Sequence, residues 1–585
     1  MATSSEIYFE LVGVGGDVVA KVACSSTLRA NCLYLSACLA KPGRRCRLLQ
    51  GGLEISQFTP LAALDLGLGT CIQVVWLPNS AADRRSVSTA FAAIKEDGSV
   101  VTWGAAGYGG NSSAVAPLLT EGVVEVCGTG GAFAAIKADG GVVTWGDADE
   151  GGDSSAVAQH LMEGIVQVCG NYLAFAAIKA DGSVVTWGNA SSGGNSSAVA
   201  PHLTEGVVQV RGNQNAFAAI KEDGSVVTWG DVDGGGNSSA VAPLLMGVVQ
   251  VRGNYNAFAA IKADGSVVTW GSVYHGGNSA AVASLLTGVV EVCGNHFAFA
   301  AIKADGSVVT WGAAGYGGDS SAVAPRLMEG VVEVCGNQGA FAAIKADGSV
   351  VTWGAAGYGG DSSALAPLLT GVVEVCGTGG AFAAIKADGG VVTWGDADEG
   401  GDSSAVAQHL MEGVVQVCGN YLAFAAIKAD GSVVTWGNAS SGGNSSAVVQ
   451  LLMEGVVLVC GTNGAFAAIK ADGSVVTWGN VYHGGNSAAV ASLLTEGVVE
   501  VCGNHFAFAA IKADGSVVTW GDAGAGGNSS AVPPLLTGVV QVCGNYSAFA
   551  AIKADGSVVT WGDANGGGNS SALAPILTEG VVQVC

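Results

Sequence analysis

Charged residues make up only 12% of this 585-residue chain, and proline contributes only 11 positions. So little charge beside 49% hydrophobic residues excludes an intrinsically disordered chain. The scarcity of proline beside 93 glycines excludes collagen-like and proline-rich segments and suits many tight turns between short strands. No apolar run approaches a membrane span, because Gly, Asp and Lys punctuate every stretch. The opening MATSSEIYFELVGVGGDVV lacks the basic flank and uninterrupted apolar run of a signal peptide, so a cytoplasmic or nuclear setting with no membrane contact is expected. The 15 cysteines show no C-x-x-C spacing and ten of them occupy one repeating position, which argues against zinc and disulfide frameworks. Basic residues are also few. Residues 1–86 hold 8 Lys/Arg against 6 Asp/Glu, and the remainder holds 15 against 41, a net charge of −26. Such a region lacks the clustered cations that direct nucleic-acid binding requires; a basic protein partner, or solubility alone, fits better.

What is present is a repeat. Tryptophan recurs at 103, 145, 187, 229, 270, 311, 353, 394, 436, 478, 520 and 561, a step of 41 or 42 residues. Each unit carries three apolar runs, of the kind VVQVC, AFAAIK and SVVTWG. Asp-Gly between the last two predicts a two-residue hairpin turn, and the three runs predict an antiparallel meander. One such sheet cannot bury both faces, so neighbouring copies are expected to stack as propeller blades or as a solenoid. Paired helices are excluded, since no apolar positions recur at three- and four-residue spacing for long enough. SSAVAPLLTEG reads either as a helical turn or as a fourth, outer strand.

The order V-V-x-V-C-G, A-F-A-A-I-K-x-D-G and W-G-x-x-x-x-G-G-[ND]-S resembles the regulator of chromosome condensation repeat family, a β-propeller group, over residues 87–585. The resemblance implies a mainly β fold: a propeller array of twelve three- to four-stranded units covering residues 89–585. The chain departs from that pattern in carrying Gly-Gly-Asn-Ser or Gly-Gly-Asp-Ser after Trp-Gly, and only His296 and His505 stand near the place of the family's histidine. The array opens with AFAAIKEDGSVVTWG at 90–104 and ends in VVQVC at 581–585, complementary parts of one three-stranded unit, so the last strand is expected to pair with the first hairpin and close a ring. Seven units is the common number in that family, which leaves one ring, two rings, an open array or a chain truncated at Cys585 as alternatives. Blocks recur within the array: DADEGGD returns after six units and VYHGG after five. Such duplication favours a scaffold over a finely placed active site.

Residues 1–78 read as a different domain, followed by a linker at 79–88. EIYFELVG, GDVVAKVAC, RCRLLQGGLEI and TCIQVVWL are strand-like, and STLRANCLYLSACLA places Leu28, Cys32, Leu35 and Leu39 on one helical face. This β-β-α-β-β order resembles the small α+β ubiquitin-like β-grasp fold. The resemblance implies either docking to a ubiquitin-pathway component through sheet residues such as Leu48, or a structural cap.

Candidate chemistry is sparse. The repeated cysteines, for instance Cys127, Cys169 and Cys335, read as packing residues too far apart to share an ion; Arg211 and Arg252 replace two of them and are expected near Asp231 or Asp233. Asp147, Asp149, Glu150 and Asp153, repeated at Asp396, Asp398, Glu399 and Asp402, alternate as calcium ligands do, but the terminal Glu of a full loop is missing and solvated turns are the better reading. No Ser/His/Asp set, P-loop or dinucleotide fingerprint occurs, and each unit repeats nearly one inventory. No catalytic residue, cofactor or metal is expected.

Comparison among the units shows two variable segments, one after Cys-Gly and one after Trp-Gly. In a meander the first and third strands end on the same side, so both segments are expected on one rim, with Tyr172, Tyr255, Tyr274, His275, Tyr316, Tyr421, Tyr482, His483 and Tyr546 as partner-binding anchors. The expected function is a non-catalytic protein-interaction scaffold, such as the substrate-recognition part of a ubiquitin-ligase system. The alternatives are a guanine-nucleotide exchange regulator of a small GTPase and a proteinaceous enzyme inhibitor.

Overall fold

A computed structural model describes residues 6–13, 18–25, 33, 46–50, 53–55, 61, 64, 70–76, 89–528, 536–570 and 577–584. The chain divides into two units, Met1–Ser80 and Ala81–Cys585.

In the first unit, β1 (Glu6–Gly13), β2 (Val18–Ser25), β3 (Cys46–Gln50), β4 (Leu53–Ile55) and β5 (Cys71–Trp76) form one sheet in the order β2-β1-β5-β3-β4. β1 and β5 run parallel, and the other pairings are antiparallel. Phe9, Leu11, Leu33, Leu48, Ile72 and Val74 make its core. Leu48 is fully buried there, which overturns its expected role as a docking residue: the even positions of β3 face the core, where no partner can reach them. Leu28, Cys32, Leu35 and Leu39 lie outside the described residues.

The second unit is mainly β and contains a long series of three-stranded antiparallel sheets, twelve among the described residues. The sheet holding β8 (Val123–Gly128), β9 (Ala132–Lys137) and β10 (Val142–Gly146) shows how each is built; β6 (Ala90–Lys95) and β7 (Val100–Gly104) precede it. The hairpin between second and third strands differs from the sequence expectation. Lys137 N donates to Gly141 O and Gly140 N donates to Lys137 O, both at 2.8 Å, so the loop has three residues, Ala138, Asp139 and Gly140. It is a type I turn closed by a glycine at φ +80°, the left-handed region that L side chains avoid.

The second strand is buried along both faces, and its alternation explains the stacking. Ala132, Ala134 and Ile136 lie on one face and pack against Phe175, Ala177 and Trp187 of the next sheet. A face of small residues thus receives a face carrying Phe and Trp, and each buried Phe contributes about 2–3 kcal/mol of transfer free energy. Within each sheet the same Phe stacks on the cross-strand Trp, as Phe175 does on Trp187 with centroids 5.3 Å apart. The hairpin turns join neighbours too: Val123 N donates to Gly98 O of the preceding turn at 2.7 Å.

Val581–Val584 pairs antiparallel with β6, completing a sheet with β6 and β7. Phe91 and Trp103 of that sheet pack on Ala548, Ala550 and Ile552 of the twelfth, while Ala90, Ala92 and Ile94 pack on Phe133 and Trp145 of the second. The series therefore closes on itself. Among the described residues, the SSAVAPLLTEG segments form short 3-10 turns, such as Ala116–Leu118 and Ser155–His160, and where Pro117 occurs it could give no donor to a ladder.

Candidate functional site

The variable loops stand on a constant frame. The residue after Cys-Gly or Arg-Gly, Asn or Thr, reaches across to the loop that follows Trp-Gly in the same sheet. Asn171 Nδ2 donates to Ser192 O at 2.6 Å, Asn254 Nδ2 to His275 O at 2.7 Å and Asn295 Nδ2 to Tyr316 O at 2.8 Å. Where threonine replaces asparagine the hydroxyl does the same work, as from Thr462 Oγ1 to His483 O at 2.8 Å. Asn295 Oδ1 also accepts from Ala298 N at 2.8 Å, so one side chain holds both loops. A second tie crosses between sheets. Trp187 Nε1 donates to Gly151 O of the preceding sheet at 3.0 Å, and Trp311 Nε1 to Gly276 O at 2.9 Å. The tips between these anchors are free to vary.

Ring contacts place the two variable segments together. Phe297 lies 4.4 Å from Tyr316, stacks on His275 at 5.5 Å and meets Tyr274 edge-on at 5.7 Å. Tyr255 lies 6.0 Å from both His275 and His296, and Tyr316 lies 6.5 Å from Tyr358. One aromatic patch thus runs over the fifth, sixth and seventh sheets. Burial holds the His275 imidazole below its usual range, and the neighbouring His296 adds to this. A smaller cluster joins His483, His505, Phe506 and Tyr546: His483 meets Phe506 edge-on at 5.2 Å, and His505 lies 4.4 Å from Tyr546. Burial also lowers the His483 pKa, against the pull of Asp522, and His483 Nδ1 is buried without a hydrogen-bond partner.

The remaining predicted anchors stand apart from these clusters. Tyr172 is half-exposed over the Gly130–Gly131 loop of the preceding sheet, and its carbonyl accepts from Gly130 N at 2.9 Å. Tyr421 reaches over the corresponding Gly379 loop, where its hydroxyl accepts from Gln338 Nε2 at 3.1 Å, two sheets back. Tyr482 is 74% exposed at a loop tip. Sequence reasoning missed Phe297, Phe506 and Tyr358 as site residues. Their signal was present, since all three fall in the variable segments, but the expected anchors were tyrosines and histidines, with Tyr316 the one tyrosine taken from the repeated Ala-Ala-Gly-Tyr loops.

The acidic loops are turn caps. Asp147 accepts from Asp149 N and Asp153 from Ser155 N, both at 2.8 Å. Glu150 and Glu399 are partly buried beside the Gly130–Gly131 and Gly379–Gly380 loops, and burial raises both carboxyls, reinforced by Asp147 and Asp396 respectively. Arg211 stands beside the Cys169 thiol rather than pairing with Asp231 or Asp233, because its strand position faces the preceding sheet's first strand. The cysteines are also nearer one another than their sequence spacing suggests: Cys293 and Cys376 both act on the Cys335 thiol, since first strands of successive sheets lie side by side. Among the described residues no group of three or more His, Cys, Asp and Glu could hold a metal, and no helix is long and apolar enough to cross a membrane.

No family model and no curated protein matches the chain. Among solved structures, it is similar to Prp20p from Saccharomyces cerevisiae, at 15% identity and TM-score 0.23 over 53% of this chain and 81% of that one. It is also similar to human WBSCR16, at 16% identity and TM-score 0.25 over 45% of this chain and 88% of that one. A third is the CRINKLY WD40 ectodomain of the Arabidopsis thaliana receptor kinase ACR4, at 17% identity and TM-score 0.22 over 46% of this chain and 93% of that one. Likeness at this level carries no functional weight for this chain.

Proposed function

We propose that the repeat region is a propeller of the regulator of chromosome condensation type, acting as a non-catalytic protein-interaction scaffold. One observation carries this reading: constant Asn, Thr and Trp side chains fix the loop bases, while the tips they hold differ from sheet to sheet on a common rim. Rigid loop bases lower the entropy cost of binding, and aromatic tips are effective anchors for a protein partner. A basic partner suits the net charge of the region. The five-stranded order of the first unit, with its parallel β1–β5 pair, supports a ubiquitin-like reading and a place in the ubiquitin pathway. The test is affinity capture with the full chain, compared with a chain in which Tyr255, Tyr316 and Tyr546 are alanine. Loss of specific partners from the variant is expected. Failure of the wild-type chain to capture any specific partner would overturn the scaffold reading.

A further inference from the structure

Aromatic side chains are distributed unevenly around the rim. Tyr255, Tyr274, His275, Phe297, Tyr316 and Tyr358 form a connected set on the fifth to seventh sheets, yet Tyr274 remains 55% and Tyr255 45% exposed. The tips of these three sheets, Asn-Tyr-Asn with Ser-Val-Tyr-His, Asn-His-Phe with Ala-Ala-Gly-Tyr, and Asn-Gln-Gly with Ala-Ala-Gly-Tyr, contain no carboxylate; Asp319 and Asp361 come three residues beyond Tyr316 and Tyr358, where they cap the next turn through Ser321 N and Ser363 N. Carboxylates return on both sides: Asp231 and Asp233 follow Trp229 in the fourth sheet, and Asp396 and Asp398 follow Trp394 in the eighth. Asp233 and Asp398 are exposed. An uncharged π surface with acidic margins complements a segment whose cations also offer a flat face.

We infer that this patch, within the scaffold reading above, is the docking site for an arginine-containing basic segment of a partner protein. A guanidinium is planar and weakly hydrated, so it stacks on Tyr and Phe faces, whereas a lysine ammonium gains less from the same surface. Flanking cations meet the carboxylates at the margins and raise the encounter rate.

The chain contains its own comparison. Tyr482-His483 and His505-Phe506 repeat the pairing of Tyr274-His275 and His296-Phe297, but Asn463 stands where the first copy has Tyr255, and Ala525 where it has Tyr316. The second copy also lacks the parallel stack: His483 meets Phe506 at 78°, against 27° between His275 and Phe297. Tyr255→Asn with Tyr316→Ala therefore installs residues that the same fold already carries at equivalent positions.

The probe is a short fluorescein-labelled Arg-Gly repeat peptide, titrated against the full chain by anisotropy beside Lys-Gly and Ser-Gly peptides of equal length. The Arg-Gly peptide is expected to bind more tightly than Lys-Gly. Its affinity should fall by about tenfold or more in the Tyr255→Asn, Tyr316→Ala chain, as loss of two cation–π contacts implies. Asn463→Tyr with Ala525→Tyr is expected to add a second site. Equal binding of Arg-Gly and Lys-Gly, or binding unchanged by the tyrosine substitutions, would overturn the assignment to this patch, as would tighter binding of Ser-Gly. If partners are captured by the wild-type chain while Arg-Gly does not bind, the patch assignment falls and the scaffold reading stands. If Arg-Gly binds as described and no partner is captured, the reverse holds.

Discussion

The indole Nε1 of Trp145 donates a 2.9 Å hydrogen bond to the carbonyl oxygen of Gly109, 36 residues earlier and in the preceding sheet. Gly109 has φ +92°, and a Cβ there would sit 2.5 Å from the Phe133 ring. One tryptophan thus fills the space between sheets and pins the neighbour's variable loop. Trp145→Phe keeps an aromatic ring but removes the donor to the Gly109 carbonyl and leaves a small cavity where the larger indole stood, and it should cost about 2–4 kcal/mol in chemical denaturation. Unchanged stability would mean that the bond contributes nothing net.

The closing sheet is the weak point of the series. Trp103 Nε1 is buried without a hydrogen bond, whereas Trp145, Trp187 and their counterparts are satisfied, and its first strand arrives from the far end of the sequence. Amide exchange should therefore be faster in β6 and β7 than in the identical strands at 465–470 and 475–479. Deleting residues 577–585 should expose the edge of β6, abolish its protection and promote concentration-dependent association.

Glu150 and Glu399 have folded pKa values above those of an exposed glutamate, because burial disfavours their charge. The folded chain then holds protons that the unfolded chain has released, so these groups lower stability as pH rises from the usual glutamate range through the raised values. Glu150→Gln with Glu399→Gln should raise the melting temperature at neutral pH relative to the wild type, with the difference vanishing at pH 4 and below. The turn aspartates act oppositely. Asp181 and Asp305 are held below their usual range, chiefly by the hydroxyls of Ser183 and Ser307, so their contribution is present above that range and is lost as pH falls through the depressed values.

Burial pushes the Cys335 and Cys502 thiols up, and Glu333 and Glu500 push in the same direction. Thiolate is the nucleophile, so iodoacetamide should label exposed Cys71 in the native chain while Cys335 and Cys376 stay unmodified until denaturant is added. Mass spectrometry of the digested chain gives the answer. Rapid native labelling of Cys335 would contradict its burial.

The meander of each unit was legible from AFAAIK, SVVTWG and the spacing of tryptophan, because period-two burial and glycine-marked turns are local properties. The three-residue hairpin was not. Asp-Gly is compatible with two loop lengths, and the bond from Val123 N to Gly98 O, made by the next sheet, accompanies the longer one. Leu48 was misread for a related reason: alternation shows that a strand has two faces, but which face is covered depends on elements elsewhere in the chain. The rim was legible as a set of variable positions, whereas its division into two clusters was not, since Phe297 and Tyr316 belong to different loops and meet only after those loops are folded back on one sheet.

By itself the sequence determined the repeat length, the strands, the pairing of the final strand with the first hairpin, and which positions vary. Only the tertiary structure decided that successive cysteines neighbour one another, how a face of small residues meets a face carrying Phe and Trp, and which aromatic tips touch. The physical reason is that hydrogen bonding and burial within a unit act over a few residues, while contacts between units depend on how two finished sheets pack face to face, a geometry that no single unit encodes alone.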